Sequence, residues 1–185
     1  SAAIVGYTNA GKSSLLNRLT RAGVLVEDAL FATLDPTTRR TTTADGRVYT
    51  LTDTVGFVRH LPHDLVEAFA STLEETAMAD VLVHVVDASD PDPIGQVDAV
   101  RGVLAGIGAS DIPEILVLNK IDRLDDDTIL TLRSTFPSAH VISAHTGEGI
   151  DDLVTAIEGS LPVPSQKVDV VMPYARGDLM DKIHR

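Results

Sequence analysis

The sequence contains no cysteine, which excludes a disulfide framework and a thiolate metal site. Long hydrophobic runs are also missing, because the longest apolar stretches, such as residues 81–86, are far too short to cross a bilayer. The N-terminus lacks the basic, apolar and small-residue pattern of a secretory signal. These absences predict a soluble cytoplasmic protein without a membrane span.

Positive charge is scarce as well. The chain has 15 Lys and Arg residues against 27 Asp and Glu residues, which gives a formal net charge of −12 at pH 7. Long-range attraction between this segment as a whole and a nucleic-acid backbone is therefore unfavourable. Contact with nucleic acid would have to come from local basic patches or from other parts of the protein.

The chain has 185 residues, 44% of them hydrophobic, which is enough for a folded core. Strand and helix patterns alternate along most of its length. Short apolar runs predict strands at residues 2–5, 81–86, 114–118 and 140–143, and helical periodicity predicts helices at residues 13–19, 65–70, 93–104, 125–133 and 149–161. Two β-branched runs, residues 40–44 and 47–52, flank Asp45-Gly46 and predict a β-hairpin. The predicted fold class is α/β: a mostly parallel six-stranded sheet with one antiparallel edge strand and helices on both faces.

The end of this domain is marked by Pro162-Val163-Pro164, so we expect it to occupy residues 1–162. Beyond it, residues 168–172 have a strand pattern and residues 176–185 begin an amphipathic helix. Residues 163–185 are therefore either a packing extension or the start of a second domain. Ser1 lies almost directly before the first predicted strand, and we expect further residues upstream of it in the natural protein.

The chain is organised around a glycine-rich stretch between the first strand and the first helix. It fits G-x-x-x-x-G-K-[ST], the phosphate-binding loop, and consists of Gly6, Tyr7, Thr8, Asn9, Ala10, Gly11, Lys12, Ser13 and Ser14. The N-terminus of a helix favours phosphate through its unpaired N–H groups and its dipole. We expect Lys12 to reach the β- and γ-phosphates and the Ser13 hydroxyl to ligate Mg²⁺. The alternative is a chance glycine-rich turn.

A second motif, Asp53-Thr54-Val55-Gly56, follows the second run of the hairpin. Phosphate-processing α/β proteins place a Mg²⁺ partner and a γ-phosphate sensor at such a strand end. We expect the Asp53 carboxylate to hold Mg²⁺ through a water molecule and the Gly56 N–H to contact the γ-phosphate.

A third motif, Asn119-Lys120-Ile121-Asp122, follows the strand at residues 114–118. The Asp122 carboxylate can accept hydrogen bonds from the ring N–H and the exocyclic amine of guanine, a donor pair that adenine lacks. The stem of Lys120 can cover the base. Ser143-Ala144-His145, after the last strand, can present backbone N–H groups to the guanine carbonyl oxygen. In this order and at these strand ends, the motifs resemble those of the P-loop GTPases.

Longer signatures are similar to the HflX family of translational GTPases. They are GYTNAGKS at residues 6–13, LFATLDPTTR at residues 30–39, DTVGFVRHLP at residues 53–62, LVEAF at residues 65–69, STLEE at residues 71–75 and Met172-Pro173-Tyr174 in the tail. The N-terminal part of the family, with its helical arm, has no counterpart in these residues. The resemblance implies a GTPase that binds the large ribosomal subunit, including ribosomal RNA, and helps to split or rescue stalled ribosomes. We expect a monomer.

The resemblance also implies site residues. Thr33 matches the family's second, nucleotide-state-dependent Mg²⁺ ligand, although Thr37 and Thr38 are rivals on chemistry alone. The predicted metal ligands are Ser13, Thr33 and Asp53, and the predicted catalytic residues are Lys12, Thr33 and Gly56. The other predicted contacts to GTP or GDP outside the phosphate loop and the base motifs are Phe31, Ala32, Leu34, Asp35, Thr54 and Val55.

Two positions predict how turnover is controlled. Phe57 stands where many small GTPases have a Gln that orients the attacking water. A phenyl ring cannot direct a proton, so we expect slow intrinsic hydrolysis that the ribosome completes by ordering the two loops. Asn9 stands where potassium-stimulated GTPases hold K⁺; an Asn tolerated in the turn is the alternative, and equal turnover in KCl and NaCl would remove the K⁺ hypothesis.

Several polar residues have two interpretations. Arg39, Arg40 and Arg59 are either ribosomal RNA contacts or solvated loop charges. We expect His60 and His63 to be exposed loop residues or partner contacts rather than bases, and His84 to be a core histidine whose polar atoms are satisfied by hydrogen bonds.

Two other functions stay open at this point. Phe57 would also suit a module that binds guanine nucleotide and barely hydrolyses it, although Lys12, Ser13, Thr33 and Asp53 argue against a full loss of chemistry. A relative that modifies tRNA or assembles ribosomes would need a different appended domain. Asp122 disfavours ATP, and Asp122→Asn should move base choice toward xanthine.

Overall fold

A computed structural model of the chain describes residues 1–20, 37–54, 56 and 76–163. The strands in this part are β1 (Ala2–Gly6), β2 (Thr37–Thr42), β3 (Val48–Asp53), β4 (Val81–Asp87), β5 (Glu114–Asn119) and β6 (His140–Val141). The helices are α1 (Lys12–Thr20), α2 (Pro93–Gly106), α3 (Asp126–Thr135) and α4 (Ile150–Ser160), with a short 3₁₀ helix at Ile121–Arg123. The helix predicted at residues 65–70 and the elements predicted beyond residue 163 lie outside the described residues.

The six strands form one sheet in the order β2-β3-β1-β4-β5-β6. Only β2 and β3 pair antiparallel, and all other neighbours are parallel. The predicted fold class is therefore confirmed. Because the carboxyl ends of parallel strands meet at one edge of a sheet, the loops that follow β1, β3, β4, β5 and β6 are brought to the same side of the molecule.

Alternate residues of the central strands pack on opposite faces of the sheet. On one face, Ile4 of β1 and Val83 of β4 share an apolar cluster with residues of α1 and α4, namely Leu15, Leu16, Leu153 and Ile157. On the other face, Ala3, Val5 and Leu82 pack with Val100 and Leu104 of α2, and Leu118 packs with Leu132 of α3. Burial on both faces explains why β1 and β4 are continuous apolar runs rather than alternating patterns.

Two predicted strand boundaries differ from the structure. β2 begins at Thr37, three residues before the predicted start, because Thr37 lies opposite Asp53 and the antiparallel ladder continues along the whole of β3. β6 contains only His140 and Val141, whereas the prediction extended to residue 143. Backbone bonding to β5 continues for one more residue, because the Ile142 N–H donates to the Leu118 carbonyl at 2.8 Å. The Ser143 N–H then donates to the Glu148 carbonyl, 3.0 Å away, and the chain turns into the next loop.

His84 is fully buried in the middle of β4. Its Nδ1 lies 2.5 Å from Oε1 of Glu114, but within the described part of the chain its buried Nε2 has no hydrogen-bond partner. The histidine is thus a core residue, as predicted, but the prediction that its polar atoms are satisfied holds in the described part of the chain only for Nδ1. Among the described residues no helix has the length and apolar character needed to span a membrane.

Candidate functional site

The predicted phosphate loop connects β1 to α1 through a tight turn. The Ala10 N–H donates to the Tyr7 carbonyl at 3.2 Å, and Asn9 has a left-handed backbone with φ of 60°. Gly11 also has a positive φ, 93°, and a Cβ at this position would overlap the side-chain amide of Asn119. Only glycine suits both the backbone and the available space at position 11.

Lys12 is the first residue of α1 and is buried under the loop, with 6% of its surface exposed. Its Nζ donates to the Tyr7 carbonyl at 3.2 Å. Burial lowers the pKa of Lys12 to about 8, and the nearby Asp53 carboxylate only partly opposes this shift. An anionic ligand in the loop would favour the charged amine, because an opposite charge nearby raises the pKa of an amine.

Ser13 and Asp53 meet between the start of α1 and the end of β3. The Ser13 hydroxyl donates to Oδ2 of Asp53 at 2.6 Å. The segment after β3 is anchored to β1, because the Thr54 hydroxyl and N–H both donate to the Ile4 carbonyl, at 2.8 and 3.3 Å. Hydroxyl and carboxylate oxygens are hard ligands of the kind that Mg²⁺ prefers, so this pair fits the predicted metal.

Gly56 approaches the phosphate loop from the other side. A Cβ at this position would lie 2.8 Å from Cα of Thr8 and 3.2 Å from Nζ of Lys12. Any larger residue would therefore push the chain away from the loop. The backbone of Gly56 therefore lies beside the loop, close to the Lys12 amine. Its contact with a γ-phosphate stays a prediction.

The side-chain amide of Asn119 joins two loops. Its Nδ2 donates to the Ala10 carbonyl in the phosphate loop at 2.9 Å, and its Oδ1 accepts from the Ala144 N–H at the same distance. Both groups are buried, so each bond satisfies polar atoms that water cannot reach. Asn119 thereby fixes the separation between the phosphate loop and the predicted base loop.

Lys120 lies beside Asn119 in a left-handed backbone conformation, with φ of 69°. Its Nζ donates to the Asn9 carbonyl and to Oδ2 of Asp87, each at 2.7 Å. The other Asp87 oxygen accepts from the Ser89 N–H and hydroxyl. Asp87 was not predicted as a site residue: it is also a carboxylate at the end of a strand, but Asp90 stands where the Asp53 motif has its Gly.

The predicted base-reading carboxylate, Asp122, is exposed in the 3₁₀ helix after β5. The Ser143 hydroxyl donates to its Oδ1 at 2.5 Å. This hydrogen bond is the main reason why the pKa of Asp122 lies below its usual value, so the carboxyl group stays ionised at neutral pH. An ionised carboxylate accepts hydrogen bonds only, which is the form that guanine would need.

The described residues bring most of the predicted site together: the phosphate loop, Asp53, Thr54, Gly56, Asn119, Lys120, Asp122, Ser143, Ala144 and His145. The remaining predicted contacts lie outside the described residues: Phe31, Ala32, Thr33, Leu34, Asp35 and Val55. The same holds for Phe57, Arg59, His60 and His63. Of the two rivals to Thr33, Thr38 has its hydroxyl 3.0 Å from the Thr52 hydroxyl across the hairpin. The roles predicted for the residues outside the described ranges, and for Thr37 and Thr38, stay predictions.

Comparison with known proteins assigns the chain to a protein family. Residues 1–120 match the family described as 50S ribosome-binding GTPase. The chain is 47% identical to GTPase HflX of Magnetococcus marinus over 182 residues, which are 98% of this chain and 42% of that protein. It is 54% identical to GTPase HflX of Lacrimispora saccharolytica over 175 residues, which are 95% of this chain and 41% of that protein. The chain thus spans less than half the length of these relatives.

Solved structures agree with the sequence relatives. The chain is similar to Era in a crystal structure of its complex with MgGDPNP and nucleotides 1506–1542 of 16S ribosomal RNA, with a TM-score of 0.69 and 27% identity. The similarity covers 91% of this chain and 58% of that one. The fold is therefore that of the P-loop GTPases. By its family match and its relatives, the chain belongs to the 50S ribosome-binding GTPases and, among them, to the HflX GTPases.

Proposed function

We propose that this chain is the GTP-binding and GTP-hydrolysing part of a cytoplasmic molecular switch. The switch associates with the large ribosomal subunit and acts in ribosome splitting or rescue under stress. The observation that carries the nucleotide assignment is the Asn119 bridge, which holds the Ala10 carbonyl and the Ala144 N–H on one side chain at 2.9 Å each. A ligand with phosphates at one end and a flat base at the other fits two subsites held at a fixed separation.

Guanine is the base that the other end of the site favours. Asp122 is ionised and is held by Ser143, so it offers carboxylate oxygens to a base that carries a ring N–H and an exocyclic amine side by side. Lys120 donates to the Asn9 carbonyl in the phosphate loop and to Asp87 at the end of β4. The stem of Lys120 would cover one face of the base.

Hydrolysis of GTP needs positioning and electrostatic stabilisation more than covalent chemistry from the protein. Lys12 and the loop N–H groups would bind the phosphates, and the Gly56 N–H would contact the γ-phosphate. Ser13 and Asp53, whose oxygens lie 2.6 Å apart, would hold Mg²⁺ together with Thr33. Mg²⁺ bound there would neutralise charge that develops on the phosphate oxygens. The Era complex, which carries MgGDPNP, supports this part of the proposal.

The ribosomal target is supported by the family description and by the relatives. The family is described as ribosome-binding, and the Era structure holds a segment of ribosomal RNA. Phe57 supports a partner-dependent reaction because its side chain cannot orient the attacking water. A partner that supplies a catalytic group can raise the rate about 10³- to 10⁵-fold in related systems. We assign nucleotide binding to residues 1–162 and the reading of the ribosome mainly to the remainder of the whole protein.

The test is GTP turnover by this chain and by the full-length protein, each with and without purified large ribosomal subunits. We expect slow phosphate release by both proteins alone and strong stimulation of the full-length protein by the subunits. Lys12→Ala in the full-length protein is the control for phosphate release that does not come from this site.

The outcomes separate the proposal from its rivals. Tight GDP binding without phosphate release under any condition would leave a guanine-nucleotide-binding module with little hydrolysis. Hydrolysis that large subunits fail to stimulate would contradict the ribosomal part of the proposal. Failure of the chain to bind GTP or GDP would overturn the assignment altogether.

A further inference from the structure

Arg18, in the last turn of α1, contacts the predicted base loop across the molecule. Its Nε donates to the Ala144 carbonyl at 3.0 Å, and its Nη2 donates to the His145 carbonyl. Neither the phosphate-loop motif nor the base motifs include this residue. Arg18 therefore bonds to two consecutive carbonyls of the loop that the sequence predicts to face guanine.

Two of the three backbone N–H groups predicted to face the guanine carbonyl oxygen are already engaged. The Ser143 N–H donates to the Glu148 carbonyl at 3.0 Å, and the Ala144 N–H donates to Oδ1 of Asn119 at 2.9 Å. Within the residues that the structure describes, the His145 N–H donates to no other group. His145 is therefore the member of the set whose N–H is available to a ligand.

The contact with Arg18 fixes the direction of this N–H. In a trans peptide the C=O and N–H bonds of one unit point in opposite directions. The Ala144 carbonyl points to Arg18, so the His145 N–H in the same peptide unit points away from α1. The hydrogen bond at the His145 carbonyl holds the next peptide unit and leaves the loop little freedom to rotate.

We propose that Arg18 is a positioning residue for base recognition. It orients the His145 N–H toward the 6-oxo group of the bound purine. The inference rests on the proposed function and names a residue of its specificity apparatus. Because α1 also carries Lys12 and Ser13 at its other end, one helix would position both the phosphate subsite and the 6-oxo contact.

An arginine suits this role better than a lysine. The guanidinium group is planar and offers several N–H donors in a fixed geometry, so it can hold two neighbouring carbonyls at once. Lysine offers a compact charge on a flexible stem and would keep at most part of the contact. The guanidinium also lies against Gly147, where a Cβ would be 3.6 Å from Cζ of Arg18, an ordinary packing distance.

The test compares GDP with inosine diphosphate, which keeps the 6-oxo group and lacks the exocyclic amine that Asp122 would bind. We expect Arg18→Ala to weaken both ligands by the same factor, about 5- to 20-fold, since the hydrogen bonds are charge-assisted but partly exposed. Arg18→Lys should recover part of the loss. Arg133→Ala removes an exposed arginine from α3 and should leave both affinities unchanged. Asp122→Asn, in contrast, should weaken GDP more than inosine diphosphate.

A spectroscopic measurement separates positioning from general support of the fold. In the wild-type chain, the amide proton resonance of His145 should move downfield when GDP or inosine diphosphate binds. In Arg18→Ala and, less so, in Arg18→Lys, this shift should shrink.

Equal affinities for wild type, Arg18→Ala and Arg18→Lys would overturn the inference while wild-type GDP binding upholds the proposed function. An unchanged His145 shift in Arg18→Lys would also overturn it, even if Arg18→Ala fails to fold. If the wild-type chain binds neither nucleotide, both the inference and the proposed function fail.

Discussion

Strands β4 and β5 carry an ion pair at each end, and the two pairs have different surroundings. At the carboxyl end, Lys120 bonds to Asp87 at 2.7 Å, with 14% and 16% of the two side chains exposed. Toward the amino end, Arg101 of α2 bonds to Glu114 at 2.8 Å, with 50% and 23% exposed. The two ends therefore offer a comparison of similar ion-pair chemistry in one pair of strands.

The contacts beyond each pair differ. Lys120 also reaches the Asn9 carbonyl, so the carboxyl-end pair is tied to the phosphate loop. Glu114 is also hydrogen bonded to Nδ1 of buried His84, so the Arg101–Glu114 pair is connected to the core of the sheet and not to a loop. A shallow cleft of about 240 Å³ beside it is lined by Arg101, Glu114 and the chain after α3. The position of an ion pair along the strands therefore decides whether it can support the candidate site. Only the carboxyl ends of the parallel strands lie at the edge of the sheet where the phosphate loop and the predicted base loop meet.

Removing the cation of each ion pair in turn should show the largest difference between the two ends of the strands. We expect Lys120→Ala to weaken GDP binding about 10- to 100-fold, because it removes the charge-assisted bond to Asn9, the pair with Asp87 and the cover of the base. Arg101→Ala is the matched control and should change GDP affinity less than twofold. Calorimetric titration measures both, and similar losses in the two variants would contradict the division of roles.

A change at the other end should affect stability instead of binding. Glu114→Gln leaves Nδ1 of buried His84 facing a neutral amide and weakens the contact with Arg101. We expect the free energy of unfolding to fall by about 1–2 kcal/mol, the range for losing one charge-assisted hydrogen bond at a partly exposed group. Urea denaturation measures this loss. GDP affinity should stay within twofold, and a larger drop would show that the amino-end pair supports the site.

The smallest expected effect is a pH dependence of that stability. Burial alone would raise the pKa of Glu114, but hydrogen bonds from His84 and Arg101 outweigh it and lower the pKa from 4.5 to about 2. The stabilisation is therefore complete above the unfolded-state pKa and is lost as the pH falls from about 4.5 toward 2. Between pH 5 and pH 3.5, wild type should lose up to about 1 kcal/mol relative to Glu114→Gln. Parallel denaturation curves for the two proteins would contradict the low pKa.

The site could be predicted from sequence where a motif is local. The phosphate loop, Asp53 and Asn119 each lie at or directly after the end of a strand, and Asp122 follows Asn119 by three residues. Parallel strands bring such positions together. Arg18 could not be predicted in this way, since its partners Ala144 and His145 are more than 120 positions away and accept through backbone carbonyls. Any side chain can stand at a residue whose carbonyl is used, so the sequence there carries no signal of the contact.

The fold shows the same division. The alternation of apolar runs predicts a parallel sheet because each buried strand must be apolar on both faces. The start of β2 at Thr37 could not be predicted, because pairing with Asp53 rather than local propensity sets it. The end of β6 is likewise followed by a loop contact that no local pattern predicts, the bond from the Ser143 N–H to the Glu148 carbonyl.

By itself, the sequence determined the order of the strands and helices, the phosphate-loop motif, and the position of the carboxylate that we predict to bind the base, because these depend on periodicity and on residues adjacent in the chain. Only the tertiary structure decided that Asn119 joins Ala10 to Ala144, that Lys120 pairs with Asp87, and that Arg18 holds the base loop. Each of these contacts joins segments that are far apart in sequence. Their partners are selected by the geometry of the folded sheet, which no local pattern records.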